Sequence, residues 1–109
     1  MEKRESKRIS LSVDAEVTTR GNSYSVSVEN ISQRGMCLVA PTSATVEDFI
    51  PGSTLGINFK APTGEKISQH CEIKWLRIDA EPLIGLIYNI GLQAIAPPPI
   101  YNEVYMNLL

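Results

Sequence analysis

The sequence predicts an all-β fold of antiparallel strands, finished by a short C-terminal α-helix. Two observations carry this expectation. Apolar residues recur at every second position in successive segments, with turn residues between them, which is the pattern of half-buried strands. After Pro97-Pro98-Pro99 the spacing changes: Tyr101, Val104, Tyr105 and Leu108 fall at the i, i+3, i+4, i+7 positions of a helix.

The first run places Leu11, Val13, Ala15 and Val17 on one face, with Ser10, Ser12, Asp14, Glu16 and Thr18 on the other. Arg20-Gly21-Asn22-Ser23 reads as a turn, and Tyr24, Val26 and Val28 form a second alternating run. A third strand follows from Met36 to Ala40. Between Pro41 and Gly52 the pattern breaks; a helical turn fits there, stopped by Pro51-Gly52. Leu55, Ile57 and Phe59 then alternate, Ala61 to Glu65 is a hairpin loop, and Ile67, Cys71, Ile73 and Trp75 share the next apolar face, interrupted by Gln69. That phase assigns Trp75 to the core, rather than to a base-stacking platform with Tyr24 and Tyr88. Leu83 to Ile95 is a last strand, or a strand pair, bent at Gly85 and Gly91. The final helix is shorter than the ~12 residues at which an isolated helix becomes marginal in water, so it must dock on the sheet or on a partner.

With 109 residues the chain is one compact domain. Its formal net charge of −2 argues against DNA or RNA as a general partner, because such binding uses a broad basic surface. The positive charge is local: Lys3, Arg4, Lys7 and Arg8 crowd the N-terminus, whereas Glu47, Asp48, Glu65, Glu72, Asp79 and Glu81 lie further on. No segment approaches the ~20 apolar residues of a membrane span, and no apolar leader core follows the basic residues, so a cytoplasmic protein without membrane insertion is expected. Cys37 and Cys71 sit in strand patterns and read as buried, reduced thiols. His70 and Cys71 are neighbours on a strand and face opposite ways, so no metal site is expected. Neither a phosphate-binding glycine loop nor an identifiable nucleophile constellation is present, and the chain does not read as an enzyme.

Two short motifs carry chemistry. Arg4-Glu5-Ser6-Lys7-Arg8 holds two arginines four positions apart, about 13 Å when extended at about 3.3 Å per residue, so the segment must bend to bring both onto one small ligand. A guanidinium pairs bidentately with phosphate or with the O6 and N7 of guanine, and stacks on a base, as lysine does not. In Asn30-Ile31-Ser32-Gln33-Arg34-Gly35, Asn30 offers donors and an acceptor and Ser32 a hydroxyl, while Gly35 permits positive φ or a close approach of the backbone to a ligand. Each motif alone has an ordinary reading, as a solvated basic tail or a strand-connecting turn.

Taken together, in this order and separated by two strands, they resemble the RxxxR and (D/N)xSxxG pair of the PilZ domain family, receptor modules for cyclic di-GMP. The resemblance implies a six-stranded antiparallel β-barrel with a short C-terminal α-helix over residues 10–109, preceded by a flexible basic arm, residues 1–9. It implies cyclic di-GMP as the ligand, held by Arg4, Arg8, Asn30, Ser32 and Gly35, with Lys3, Lys7 and Arg34 as further contacts. Binding would draw the arm onto the barrel and signal to a downstream protein in the control of motility, exopolysaccharide synthesis or virulence, from a monomer or a homodimer. Gly91-Leu92-Gln93 is similar to the family's last strand. Three positions depart from the family. Arg34 stands where glycine is frequent, and either adds a phosphate contact or projects to solvent. Lys3 replaces an arginine that helps recruit a second dinucleotide, which leaves one or two bound ligands open. Ala94 replaces a large aromatic, whose packing must come from Ile95 or the terminal tyrosines. The alternative function is a ligand-independent protein-interaction adaptor on the same fold.

Overall fold

The alternating segments close on themselves. The computed structural model describes residues 8–40 and 46–109. It contains strands β1 (Ile9–Thr19), β2 (Asn22–Ile31), β3 (Gly35–Ala40), β4 (Thr54–Lys60), β5 (Lys66–Glu81) and β6 (Gly85–Ala94). A single 3-10 turn, Val46–Phe49, precedes β4, and helix α1 spans Pro99–Leu108. All pairings are antiparallel in the order β1-β2-β3-β6-β5-β4, and β1 pairs back onto β4 through Ala15 opposite Phe59 and Val17 opposite Ile57. The sheet is therefore a closed barrel in which every strand has a partner on both sides over at least part of its length.

The period-two pattern fills the interior: Val17, Val28, Leu38, Ile57, Ile67, Ile73 and Ile90 are all buried. Arg20 and Gly21 both take positive φ, 52° and 83°, in the two-residue β1–β2 turn, whose twist matches that of the flanking strands. At this end of the barrel the 3-10 turn inserts Phe49 as a plug against Tyr24 and Tyr88, with ring centroids 5.7 and 6.5 Å away. Buried Asp48 accepts hydrogen bonds from the side chains of Asn22 and Tyr24. Tyr24 and Tyr88 thus anchor the plug.

Helix α1 buries Tyr101, Val104 and Tyr105 against the barrel. Ala94 is partly buried against the same core as these tyrosines, while Ile95 is 43% exposed. Gln69, the polar break in the β5 pattern, is buried and donates through Nε2 to the carbonyls of His70 and Ile95, at 2.7 and 2.9 Å, tying β5 to the chain beyond β6.

Three register shifts distinguish the structure from strict alternation. They fall between Ser10 and Val13 in β1, between Val28 and Asn30 in β2, and between Ile73 and Trp75 in β5. A bulge inserts one unpaired residue and reverses which face the following side chains occupy. In β2 the shift returns Ile31 to the core and turns Asn30 out of it. In β5 the shift at Lys74 has the same effect, and Trp75 leaves the apolar face to which its spacing from Ile73 assigned it. Trp75 is 41% exposed, so the expectation of a core tryptophan is corrected.

Candidate functional site

The residues turned outward by the β2 and β5 bulges gather at one end of the barrel. Arg8, immediately before β1, donates from Nη1 to Asn30 Oδ1 at 2.8 Å and lies 3.6 Å from Cys37 Sγ. Asn30 and Cys37 face each other across the β2–β3 pair, so a single cross-strand position receives the guanidinium. Cys37 is accordingly half-buried, not buried as the sequence pattern implied. Cys71 is buried, and burial pushes its thiol up to about 12.

The Ser32–Gly35 connection is a tight, internally bonded turn. Ser32 N–H donates to the Gly35 carbonyl at 2.8 Å, its hydroxyl points to the same oxygen at 3.3 Å, and Ala94 N–H donates to the Arg34 carbonyl at 2.7 Å. The Tyr101 hydroxyl from α1 lies 2.9 Å from both the Ser32 and the Gly35 carbonyl oxygens and is shared between them. Tyr101 is fully buried, and that burial raises its pKa and keeps the hydroxyl a donor. Nothing in the motifs pointed to this residue.

Gly35 is needed for a reason other than the two considered from sequence. It does not take positive φ, and it makes its close approach to β6: a Cβ built there would lie 2.0 Å from the Leu92 carbonyl oxygen. Gly91 has a comparable role on the outer face. A Cβ at Gly91 would lie 2.2 Å from Trp75 Cε2 and Nε1, so the indole rests on the glycine.

These elements enclose an open cleft of about 300 Å³, lined by Arg8, Ser32, Arg34 and Gly35 from the motif segments and by Lys74, Trp75, Gly91, Leu92 and Gln93 from β5 and β6. Three of the lining side chains are cationic and none is acidic. Lys74 also lies 3.5 Å from Glu72. The arrangement offers an anion two guanidinium groups and an ammonium, and offers a flat ring the exposed indole.

Of the residues singled out from sequence, Arg8, Ser32, Gly35 and Arg34 thus border one cleft, with Asn30 bonded to Arg8 beside it. Lys3, Arg4 and Lys7 lie outside the described residues. Lys74 and Trp75 were missed as site residues. The signal for them is the change of phase in β5, where Leu76 and Ile78 are out of step with Cys71 and Ile73. Among the described residues, no group of three His, Cys, Asp or Glu side chains is placed to hold a metal ion. No helix among them is long and apolar enough to cross a membrane.

Solved structures share this architecture. Bacillus subtilis MotI/DgrA, an inhibitor of motility, superposes with a TM-score of 0.77 at 15% identity, over 98% of this chain and 49% of that protein. The PilZ domain of Escherichia coli YcgR, determined with c-di-GMP, gives 0.77 at 12% identity over 98% and 92%. The K. pneumonia MrkH–c-di-GMP complex gives 0.73 at 16% identity over 98% and 51%. The chain therefore spans about half the length of MotI/DgrA and of MrkH. Among curated proteins, none matches the sequence. The family model described as "PilZ domain" matches residues 2–101, a span that takes in both motifs, the whole barrel and the first turn of α1, and the chain belongs to the PilZ domain family.

Proposed function

We propose that the chain is a cytoplasmic receptor for cyclic di-GMP that acts on a protein partner and carries out no chemistry itself. The observation that carries this reading is the cationic cleft: Arg8, Arg34 and Lys74 line it beside the exposed face of Trp75. That combination suits a ligand made of two phosphodiesters and two flat purines. Arg8 and Arg34 would meet phosphate or the guanine O6 and N7 edge, and Trp75 would stack on a base. The Asn30 acceptor is occupied by Arg8, so its amide donors serve the ligand, with Ser32 and Gly35 forming the wall opposite. Arg4, with Lys3 and Lys7, would close over the ligand from the segment before Arg8, and the closed arm would present a different surface to a downstream protein. Control of motility, exopolysaccharide synthesis or virulence is the output that this reading assigns.

Trp75 is the sole tryptophan and reports on the cleft directly. Titration with cyclic di-GMP should change its emission saturably, and cyclic di-AMP at the same concentration should not. Equal responses to both would remove guanine recognition. No response to either would favour the ligand-independent adaptor.

A further inference from the structure

Strand β5 outruns its neighbours. β4 covers it from Lys66 to Glu72, and the cover ends at Ile73, whose N–H donates to Ser53 O at 2.9 Å and whose carbonyl accepts from Gly52 N at 2.7 Å. From Lys74 to Glu81, no described residue pairs with that edge of β5. On the other side β6 continues to Gly85, but β3 leaves β6 at Tyr88. Among the described residues, the end of the β5–β6 hairpin is therefore a two-stranded ribbon running beyond the closed wall, with Ile84, Leu86 and Ile87 bordering a shallow cleft against Ser25, Val26 and Ser27 of β2. Such a ribbon is marginal in water unless further strands or a packed face support it. It also exposes Ile78 at 45%, Leu83 at 99%, Ile84 at 67% and Leu86 at 47%.

We propose that a second copy of this chain docks on this edge, its β5 pairing antiparallel with β5 about a two-fold axis through Ile78. The charges select both occupant and register. A two-fold axis normal to the sheet sets one residue opposite itself and pairs its neighbours crosswise. Centring on Arg77 or on Asp79 opposes like charges directly, and centring on Ala80 sets Asp79 against Glu81. Centring on Leu76 leaves Lys74 opposite Ile78. With Ile78 at the centre, Arg77 of each copy faces Asp79 of the other, Leu76 faces Ala80, and Ile78 meets its own counterpart. Within one chain Arg77 Nε and Asp79 Oδ2 are already 3.1 Å apart on the same face of the ribbon, so the complementary pair is presented together. The product is a four-stranded sheet, β6-β5-β5-β6, with the apolar positions of both ribbons in phase. Open strand edges of this kind are templates for another strand.

The test is sedimentation equilibrium of the full 109-residue chain over a concentration series. The small contact predicts a weak monomer–dimer equilibrium, with a dissociation constant on the order of 10–100 μM. Arg77→Asp sets acid against acid in both symmetric pairs and should weaken the dimer about ten-fold. Adding Asp79→Arg to it restores opposite charges with their places exchanged, and should return the constant to within about two-fold of the original. Both side chains are substantially exposed, 66% and 43%, so the monomer fold should tolerate the changes, with circular dichroism as the check. A chain that stays monomeric up to about 1 mM overturns the proposal. So does a dimer indifferent to the single swap, or one that the double swap fails to restore. Flotation with phosphatidylcholine vesicles without self-association would assign the apolar tip to a membrane instead.

Discussion

Replacing Tyr101 by Phe removes one oxygen atom, and the structure indicates what that atom holds. Its hydroxyl is shared between the carbonyls of Ser32 and Gly35 at 2.9 Å each. Gly35 O keeps the Ser32 N–H as a donor at 2.8 Å, whereas the Ser32 carbonyl loses its donor among the described residues. The substitution therefore strands one buried acceptor, not two. An unmet buried polar group costs about 1–3 kcal/mol, and each kcal/mol moves the midpoint of a domain near 100 residues by about 4–8 °C. We expect Tyr101→Phe to lower Tm by about 10 °C in differential scanning calorimetry, with little change in the far-ultraviolet circular dichroism. Cyclic di-GMP affinity should fall as well, because the Ser32–Gly35 turn loses its tether to α1 even though the ring itself is buried away from the cleft. A midpoint within about 2 °C of wild type, with unchanged affinity, would refute the claim that this hydroxyl positions the turn.

The two glycines at the site should respond differently to the same change. Gly91→Ala directs a methyl at the exposed Trp75 indole, which can swing outward; about 1–3 kcal/mol of destabilisation and a red-shifted Trp75 emission are expected. Gly35→Ala directs it at the Leu92 carbonyl, and backbone cannot yield without parting β3 from β6, so this variant should be the more destabilised in urea unfolding. Equal stability of the two would contradict the contact geometry. Alkaline stability supplies another check. The Cys71 thiol titrates near 9.0 when unfolded and at about 12 when folded. Its stabilisation is complete below pH 9.0 and lost as pH rises toward 12, at up to about 1.4 kcal/mol per pH unit, with Tyr101 acting in the same direction at higher pH. Cys71→Ala should flatten the fall in stability above pH 9.0. An unchanged slope would mean that this thiol is not the group responsible.

Most of the barrel was legible in the sequence because each strand buries one face, and that requirement writes a period of two into Val26, Val28, Ile57 and Ile73. The helix was legible through Tyr101, Val104 and Tyr105 for the same reason at a different period. Alternation does not encode the insertion of a single residue. At Lys74 the phase slips, and extrapolation from Ile73 therefore sent Trp75 inward. The later residues Leu76 and Ile78 carry the correct phase and were the available signal. The hydroxyl of Tyr101 was invisible for another reason: its partners are main-chain carbonyls far away in sequence, and a buried tyrosine at a helical core position reads as packing alone. The motifs brought Arg8, Ser32, Arg34 and Gly35 into view, but the β5–β6 wall of the cleft, Lys74 and Trp75 resting beside Gly91, required the register of the sheet.

Calorimetric titration of cyclic di-GMP into the wild-type chain, run beside Arg8→Ala, bears most directly on the receptor reading. Arg8 precedes β1 and is exposed, so its loss should leave the barrel intact while removing a charge-assisted contact worth about 1.5–3 kcal/mol. Saturable heat in the wild type, with at least about ten-fold weaker binding in the variant, is the expected result, and its stoichiometry would settle whether one or two dinucleotides bind. Absence of binding by a folded wild-type chain, or equal affinity in Arg8→Ala, would contradict it.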